Sequence, residues 1–349
     1  MSESGIVAET AARIFADFGD PQAIIHAKDG AWKQPLWKAL SESGLTLAWV
    51  PEQQGGAGAD IADGFAILSV AGRYAVGVPL AETLLAGWLL SRAGLAAPAG
   101  AMTVAPARPN DRITLNPDGT LRGRARGVPF AKDAGHIAVL AGSSVALVEA
   151  ATCRISDGLS LAGEPSNTVT FDGVRPTQIA PAPERFDQTA LMLMGCAVRS
   201  VETAGALEAI LDLTVRYANE RVAFERPIAK FQAVQHALAR LAGEVAAALT
   251  ASGSAADAIA HAESFDDGVF LEAASAKIRS AEAAQEGAAI AHQMHGAIGF
   301  TNEHVLHRYT LRMLSWRDDF GSESHWAVAL GNRIAARGSD EFWPLIAAR

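Results

Sequence analysis

Four histidines stand in two i,i+3 pairs, His292/His295 and His304/His307, a spacing that can place two imidazoles on one helix face for a metal. No His-Glu-x-x-His or similar carboxylate pattern accompanies them, so they read as packing and not as a metal centre. Cys196 lies in the apolar run Leu191–Val198 and reads as a buried small side chain rather than a nucleophile. Gly55-Gly56-Ala57-Gly58 is glycine-rich, but no Lys-Ser/Thr follows, so it marks a turn and not a phosphate loop. Arg122, Arg124 and Arg126 alternate with glycine and alanine as on an exposed strand or turn, and that alternation alone does not make a binding patch. Two further groups are Arg221 with Phe224 and Gln293 with Gly296. Taken singly, each fits surface packing or a helix end as well as it fits a ligand contact.

The elements that would position these residues follow from hydrophobic period and turn signals. Residues 1–98 read as a helical domain broken by Pro51–Asp60, with helices at 61–75 and 80–94. Residues 99–186 read as a small β domain, with strand-like runs at Arg112–Leu115, Ile137–Leu140, Val145–Val148 and Thr168–Phe171 between turns such as Asn116-Pro117-Asp118-Gly119. Residues 187–349 read as helical, with helices expected at 188–218, 230–250, 267–294, 303–316 and 322–337 and breaks at Pro227, around Ser252–Ser254 and at Gly296–Gly299. No strand–GxGxxG–helix unit occurs, which excludes a Rossmann reading.

Composition narrows the function classes. With 29 Lys+Arg against 38 Asp+Glu the chain is acidic, which argues against a general nucleic-acid binder. Half of its 349 residues are hydrophobic, enough for a large core in more than one layer. The two cysteines, Cys153 and Cys196, suggest no disulfide framework and fit a cytoplasmic location. The apolar stretch Leu80–Leu95 carries Glu82 and Arg92 and is short for a membrane span, so a buried helix is expected there.

Three segments, in order, resemble motifs of the acyl-CoA dehydrogenase family. Arg221-Val222-Ala223-Phe224-Glu225-Arg226-Pro227-Ile228-Ala229-Lys230-Phe231-Gln232 is similar to the family's R-x-x-F-G-x-P-I-x-x-F-Q run. Gln293-Met294-His295-Gly296-Ala297-Ile298-Gly299-Phe300-Thr301-Asn302-Glu303 is similar to its Q-x-H-G-G-x-G-Y-T-x-E run. Trp37, Leu40, Gly44, Pro51-Glu52 and Gly55-Gly56 match its N-terminal pattern more weakly. The resemblance implies a mainly α fold: an N-terminal helical domain, a middle β-barrel-like domain and a C-terminal four-helix bundle. It also implies FAD, an acyl-CoA substrate and electron-transfer flavoprotein or a similar acceptor. It makes Arg221, Phe224, Gln232, Gln293, Gly296 and Ala297 the cofactor-facing residues, reaching into a neighbouring subunit's flavin site. There a guanidinium would meet the diphosphate and the Gln293 amide an adenine edge.

The same resemblance exposes a gap. The reaction removes an α-proton from the thioester, which needs a carboxylate tuned to neutral pH. The family's glutamate precedes a Gly-Thr, and the matching stretch here is Asp318-Asp319-Phe320-Gly321-Ser322, with Phe320 in the glutamate's place. The alternative site on the preceding long helix falls at Gly195. Asp319 or Glu323 is a weak substitute. The loop and Trp-bearing strand that cover a flavin ring are also not matched in residues 99–130. The expectation is therefore one subunit of a hetero-oligomeric acyl-CoA dehydrogenase, of the kind that acts on ring-bearing or steroid side-chain thioesters, whose related partner brings the carboxylate. The alternatives are a structural, flavin-completing subunit with no activity of its own and a flavin monooxygenase or nitroalkane-oxidising branch.

Overall fold

The computed structural model describes residues 3–25, 27 and 30–347. The N-terminal region contains α1 (Glu3–Phe18), α2 (Pro21–Ile24), α3 (Lys33–Glu42), α4 (Ile61–Arg73) and α5 (Leu80–Arg92). α5 is enclosed on all sides, Leu80 through Leu90 being buried and all but Glu82, Thr83 and Gly87 apolar.

Two four-stranded sheets follow, built from β1 (Met102–Ala105), β2 (Arg112–Leu115), β3 (Leu121–Pro129), β4 (His136–Ala141), β5 (Ser144–Glu149), β6 (Arg154–Ser156), β7 (Ser166–Val174) and β8 (Gln178–Pro181). Their orders are β1-β4-β5-β8, with β1 parallel to β4, and β2-β3-β7-β6, antiparallel throughout. The inner residues of both, among them Val104, Ile137, Val139, Ile113, Ala125 and Phe171, join one core with α5 and the first half of the next helix. β3 covers the Arg122–Arg126 alternation, which on sequence fitted an exposed strand or a turn, and the structure makes it a strand. Pairing on both edges with β2 and β7 supplies the ladder hydrogen bonds that hold it extended.

The C-terminal region is α6 (Gln188–Glu220), a short hairpin of β9 (Val222–Ala223) and β10 (Arg226–Pro227), then α7 (Gln232–His261), α8 (Asp267–His295), α9 (Leu306–Trp316), α10 (Glu323–Arg337) and α11 (Ser339–Ala347). α6, α7, α8 and α9 pack as the four-helix bundle. α6 is long and apolar enough to cross a membrane, but its apolar stretch is wholly buried in protein. It crosses α4 at near backbone contact: a side chain on Gly205 would strike the Ser69 carbonyl, and one on Gly72 would strike that of Glu202. The break expected at Ser252–Ser254 is absent. α7 runs through it, with the Thr250 and Ser252 hydroxyls donating to carbonyls of their own helix, so these residues need no turn to satisfy them.

Candidate functional site

The two positions at which a base was sought meet in space. Gly195 lies on α6, and Phe320 lies in the turn between α9 and α10, with its ring directly over the Gly195 Cα. A Cβ at 195 would fall inside the ring. Phe320 is 1% exposed and has φ +56°, a left-handed backbone that a bulky residue adopts only when its surroundings enforce it. The enforcement is visible. Its N–H donates to the Ala107 carbonyl at 3.1 Å, and its own carbonyl accepts from Trp326 Nε1 at 3.1 Å and from the Cys196 thiol at 3.4 Å. Cys196 is thus buried packing as expected, its thiol pushed up to about 12 by burial.

Neither acid neighbouring Phe320 in sequence is free to replace the base. The Asp319 carboxylate turns away and accepts from Arg199 Nε at 3.0 Å, and Glu323 pairs with Arg317. Arg199, 4% exposed, also binds Glu202 at 2.7 Å and Glu82 of α5, so one guanidinium gathers three carboxylates from three elements. Burial pushes the Glu202 carboxyl up to about 7, against the pull of Arg199, and raises Glu82 in the same way. Lys277 of α8, also buried, is pulled down by burial and donates to the Trp316 carbonyl. Sequence reasoning missed this network. Its one available signal was Arg199 and Glu202 standing three apart in a long, largely buried helix.

Beside Phe320, a polar cavity of about 510 Å³ opens between the β region and the start of α10. Arg108, Arg126, Asp318, Ser322 and His325 line it, together with Gly127 and Gly321. Arg126 is held by the buried Asp111 carboxylate, and Arg108 donates to the Asp318 carbonyl. Of the residues lining this cavity, none offers an indole or phenyl wall for a flavin ring.

The opposite end of α6 is built differently. Tyr217 stacks on His295 with ring centroids 4.4 Å apart and donates to the His295 carbonyl, which brings the ends of α6 and α8 together. Arg221 caps α6, is exposed, and forms no ion pair among the described residues. The β9–β10 hairpin then turns on Phe224 and Glu225, both at positive φ, and leaves the Phe224 ring 89% exposed at its tip. Gln232 opens α7 behind Phe231, which provides no side-chain cap for the first turn of that helix. Gln293, Gly296 and Ala297 are exposed where α8 ends. Gly296 has φ +64° and open space where a Cβ would sit. The structure therefore brings all six expected cofactor-facing residues to one end of the bundle.

The four histidines lie beneath this end without forming a metal set; among the described residues no cluster of three metal-binding side chains occurs. His295 Nδ1 donates to the Ala291 carbonyl, His292 Nε2 meets the Thr310 hydroxyl, and His304 packs on His295 at 4.8 Å. Burial holds His292, His295 and His304 below the ordinary imidazole range, and neighbouring imidazoles add to this for His292 and His304. They support the Gly296–Phe300 turn as neutral rings.

This end fits FAD and the cleft around Phe320 does not. A free guanidinium, uncapped helix N–H groups, an exposed amide and an open glycine are donors suited to a diphosphate and a purine edge. The Phe320 ring fills the space over Gly195, and the carboxylates of Asp319 and Glu323 are held by Arg199 and Arg317.

Comparison with known proteins agrees with the fold. Residues 2–97 match the N-terminal domain and residues 188–336 the C-terminal domain of acyl-CoA dehydrogenases. The chain is 31% identical over 316 residues to the acyl-CoA dehydrogenase IpdE2 of Mycobacterium tuberculosis, covering 89% of this chain and 90% of that one. It is 29% identical to FadE28 of the same organism, covering 86% and 92%. Among solved structures, the ChsE4-ChsE5 complex of Mycobacterium tuberculosis aligns over 96% of this chain and 98% of that chain, with TM-score 0.85 and 21% identity. The Tcur3481-Tcur3483 steroid ACAD, as a G363A variant, aligns over the same shares, with TM-score 0.83 and 25% identity. The chain belongs to the acyl-CoA dehydrogenase family.

Proposed function

We propose that this chain is one subunit of a hetero-oligomeric, FAD-dependent acyl-CoA dehydrogenase in which a related subunit supplies the carboxylate base. The observation that carries the reading is the Phe320 ring seated on Gly195, which fills both base positions with one side chain. When bound, FAD supplies the acceptor for the hydride that leaves the thioester's β carbon. The work of this chain is to complete a neighbour's cofactor site. Arg221 presents two parallel N–H donors to diphosphate oxygens, and the first turn of α7 at Gln232 adds main-chain donors and the positive end of its dipole. Gln293 offers its amide to the purine edge, the Gly296 backbone approaches closely, and Phe224 and Ala297 shield that contact from water.

A bulky, ring-bearing acyl-CoA is the substrate class we favour, supported by the likeness to a steroid ACAD. Electron-transfer flavoprotein or a similar carrier would take the electrons, and the cytoplasm is the proposed location. A flavin-completing subunit with no activity of its own is the second reading, favoured by the ties on Asp319 and Glu323. The test is to purify the chain alone and co-expressed with a related subunit, measuring bound flavin by absorbance and acyl-CoA oxidation with a dye acceptor. Flavin and activity are expected only in the complex. Full activity of the lone chain overturns the proposal, and a partner that is equally active without this chain leaves the second reading also without support.

A further inference from the structure

The arginines of β3 take on a different meaning once the sheet register is known. The sheet β2-β3-β7-β6 buries Ile113, Leu121, Ala125, Val169 and Phe171 on its inner face and turns the alternate residues outward. On that outer face Arg112 is opposite Arg124, Arg124 is opposite Thr170, and Thr170 is opposite Arg154. One row thus crosses four strands, roughly 14 Å at the usual strand spacing, and carries three guanidinium groups. Arg122 stands two residues along β3, flanked by Thr114 and Asp172. The sequence alternation left an exposed strand or a turn open, and the structure shows the strand. The alternation could not show that pairing adds Arg112 and Arg154 to the same face.

These charges are not spent on internal pairs. Arg126 is held by Asp111, and Arg112 donates to the Pro109 and Asp111 carbonyls and to Gln188. Among the described residues, Arg122, Arg124 and Arg154 have no ion-pair partner. Like charges directly opposite one another weaken a sheet, so Arg112 facing Arg124 is a local cost in a chain whose net charge is −9.

We propose that this face docks an acidic protein, one whose contact surface presents a plane of Asp and Glu carboxylates. A solvent-facing sheet is flat, whereas small ligands are taken in concave sites. A long nucleic acid or an anionic membrane would meet the acidic remainder of the surface, while a protein need present only its docking face. The cations are all arginine, whose planar fork matches a carboxylate with two parallel hydrogen bonds. Thr114, Thr168, Thr170 and Ser156 stand among them as neutral donors and acceptors. This inference does not depend on the flavin reading.

The test uses the full chain with fluorescent poly-L-glutamate as probe, read by anisotropy at low salt. A triple variant, Arg122→Glu, Arg124→Glu and Arg154→Glu, is expected to weaken binding at least about tenfold, and added salt to weaken wild-type binding in parallel. Unchanged binding in that variant overturns the proposal. So does tighter binding of duplex DNA or phosphatidylserine vesicles through the same arginines. Arg124→Gln keeps the strand and removes the repulsion, so it is expected to lower probe binding without lowering Tm. A drop in Tm would make the row structural and also overturn the proposal.

Discussion

The two ends of α6 were built on opposite terms. Around Gly195 and Phe320 the ring lies on bare Cα and the Phe320 main chain is bonded on both sides, while Arg199 nearby collects three acids. Around Arg221, about 39 Å further along at 1.5 Å per residue, an unpaired guanidinium, a helix start without a side-chain cap and an aromatic ring are exposed. The first region is organised for stability and the second for contact with something else. One end of α6 is closed by packing and internal ion pairs, and the other presents exposed polar groups.

Substitutions should therefore divide cleanly by readout, and each can break the comparison. The largest effect is expected from Arg199→Met, which leaves Glu82, Glu202 and Asp319 buried without their cation. A loss of about 3–5 kcal/mol at pH 8 is expected by denaturant unfolding, shrinking towards pH 5 as the carboxyls take up protons. Next is Arg221→Ala in the co-purified complex, where a lost charge-assisted contact of about 1.5–3 kcal/mol should weaken flavin binding some ten- to hundredfold in a titration and leave Tm unchanged. A fall in Tm with normal flavin affinity would erase the contrast. Gly195→Ala should cost about 1–3 kcal/mol by overpacking, with much of it recovered in a Phe320→Leu background. An additive double mutant would show that the two residues do not share space.

The smallest effect sharpens the picture through pH. The Glu202 carboxyl is raised from its ordinary value of 4.5 to about 7 in the folded chain. Between those values the folded state holds a proton that the unfolded state has released, so this group's contribution falls as pH rises through that window. Glu202→Gln should flatten the decline in Tm between pH 5 and 7, as measured by calorimetry. An unaltered pH profile would show that Glu202 does not carry the proton.

Much of the site was legible without coordinates because the family motifs are local. Arg221 through Gln232 and Gln293 through Ala297 each lie within one short stretch, and Phe320 could be placed by counting from Gly299. What was not legible depends on residues distant in sequence. Glu82 reaches Arg199 across 117 positions and Asp319 across 120, and no period or turn signal reports such a meeting. Gly195 and Phe320 were each recognised as lacking an acid, but their mutual fit requires the α9–α10 turn to fold back over α6. β3 was left open between strand and turn for a related reason, since its extended form depends on pairing with the strands on either side.

The seating of Phe320 on Gly195 also couples two positions. A carboxylate placed at 320 would give up the ring that fills the space above α6, and one placed at 195 would collide with that ring. Donors at the Arg221 end can be exchanged one at a time, whereas a base introduced on α6 at 195 requires a change at 320 as well.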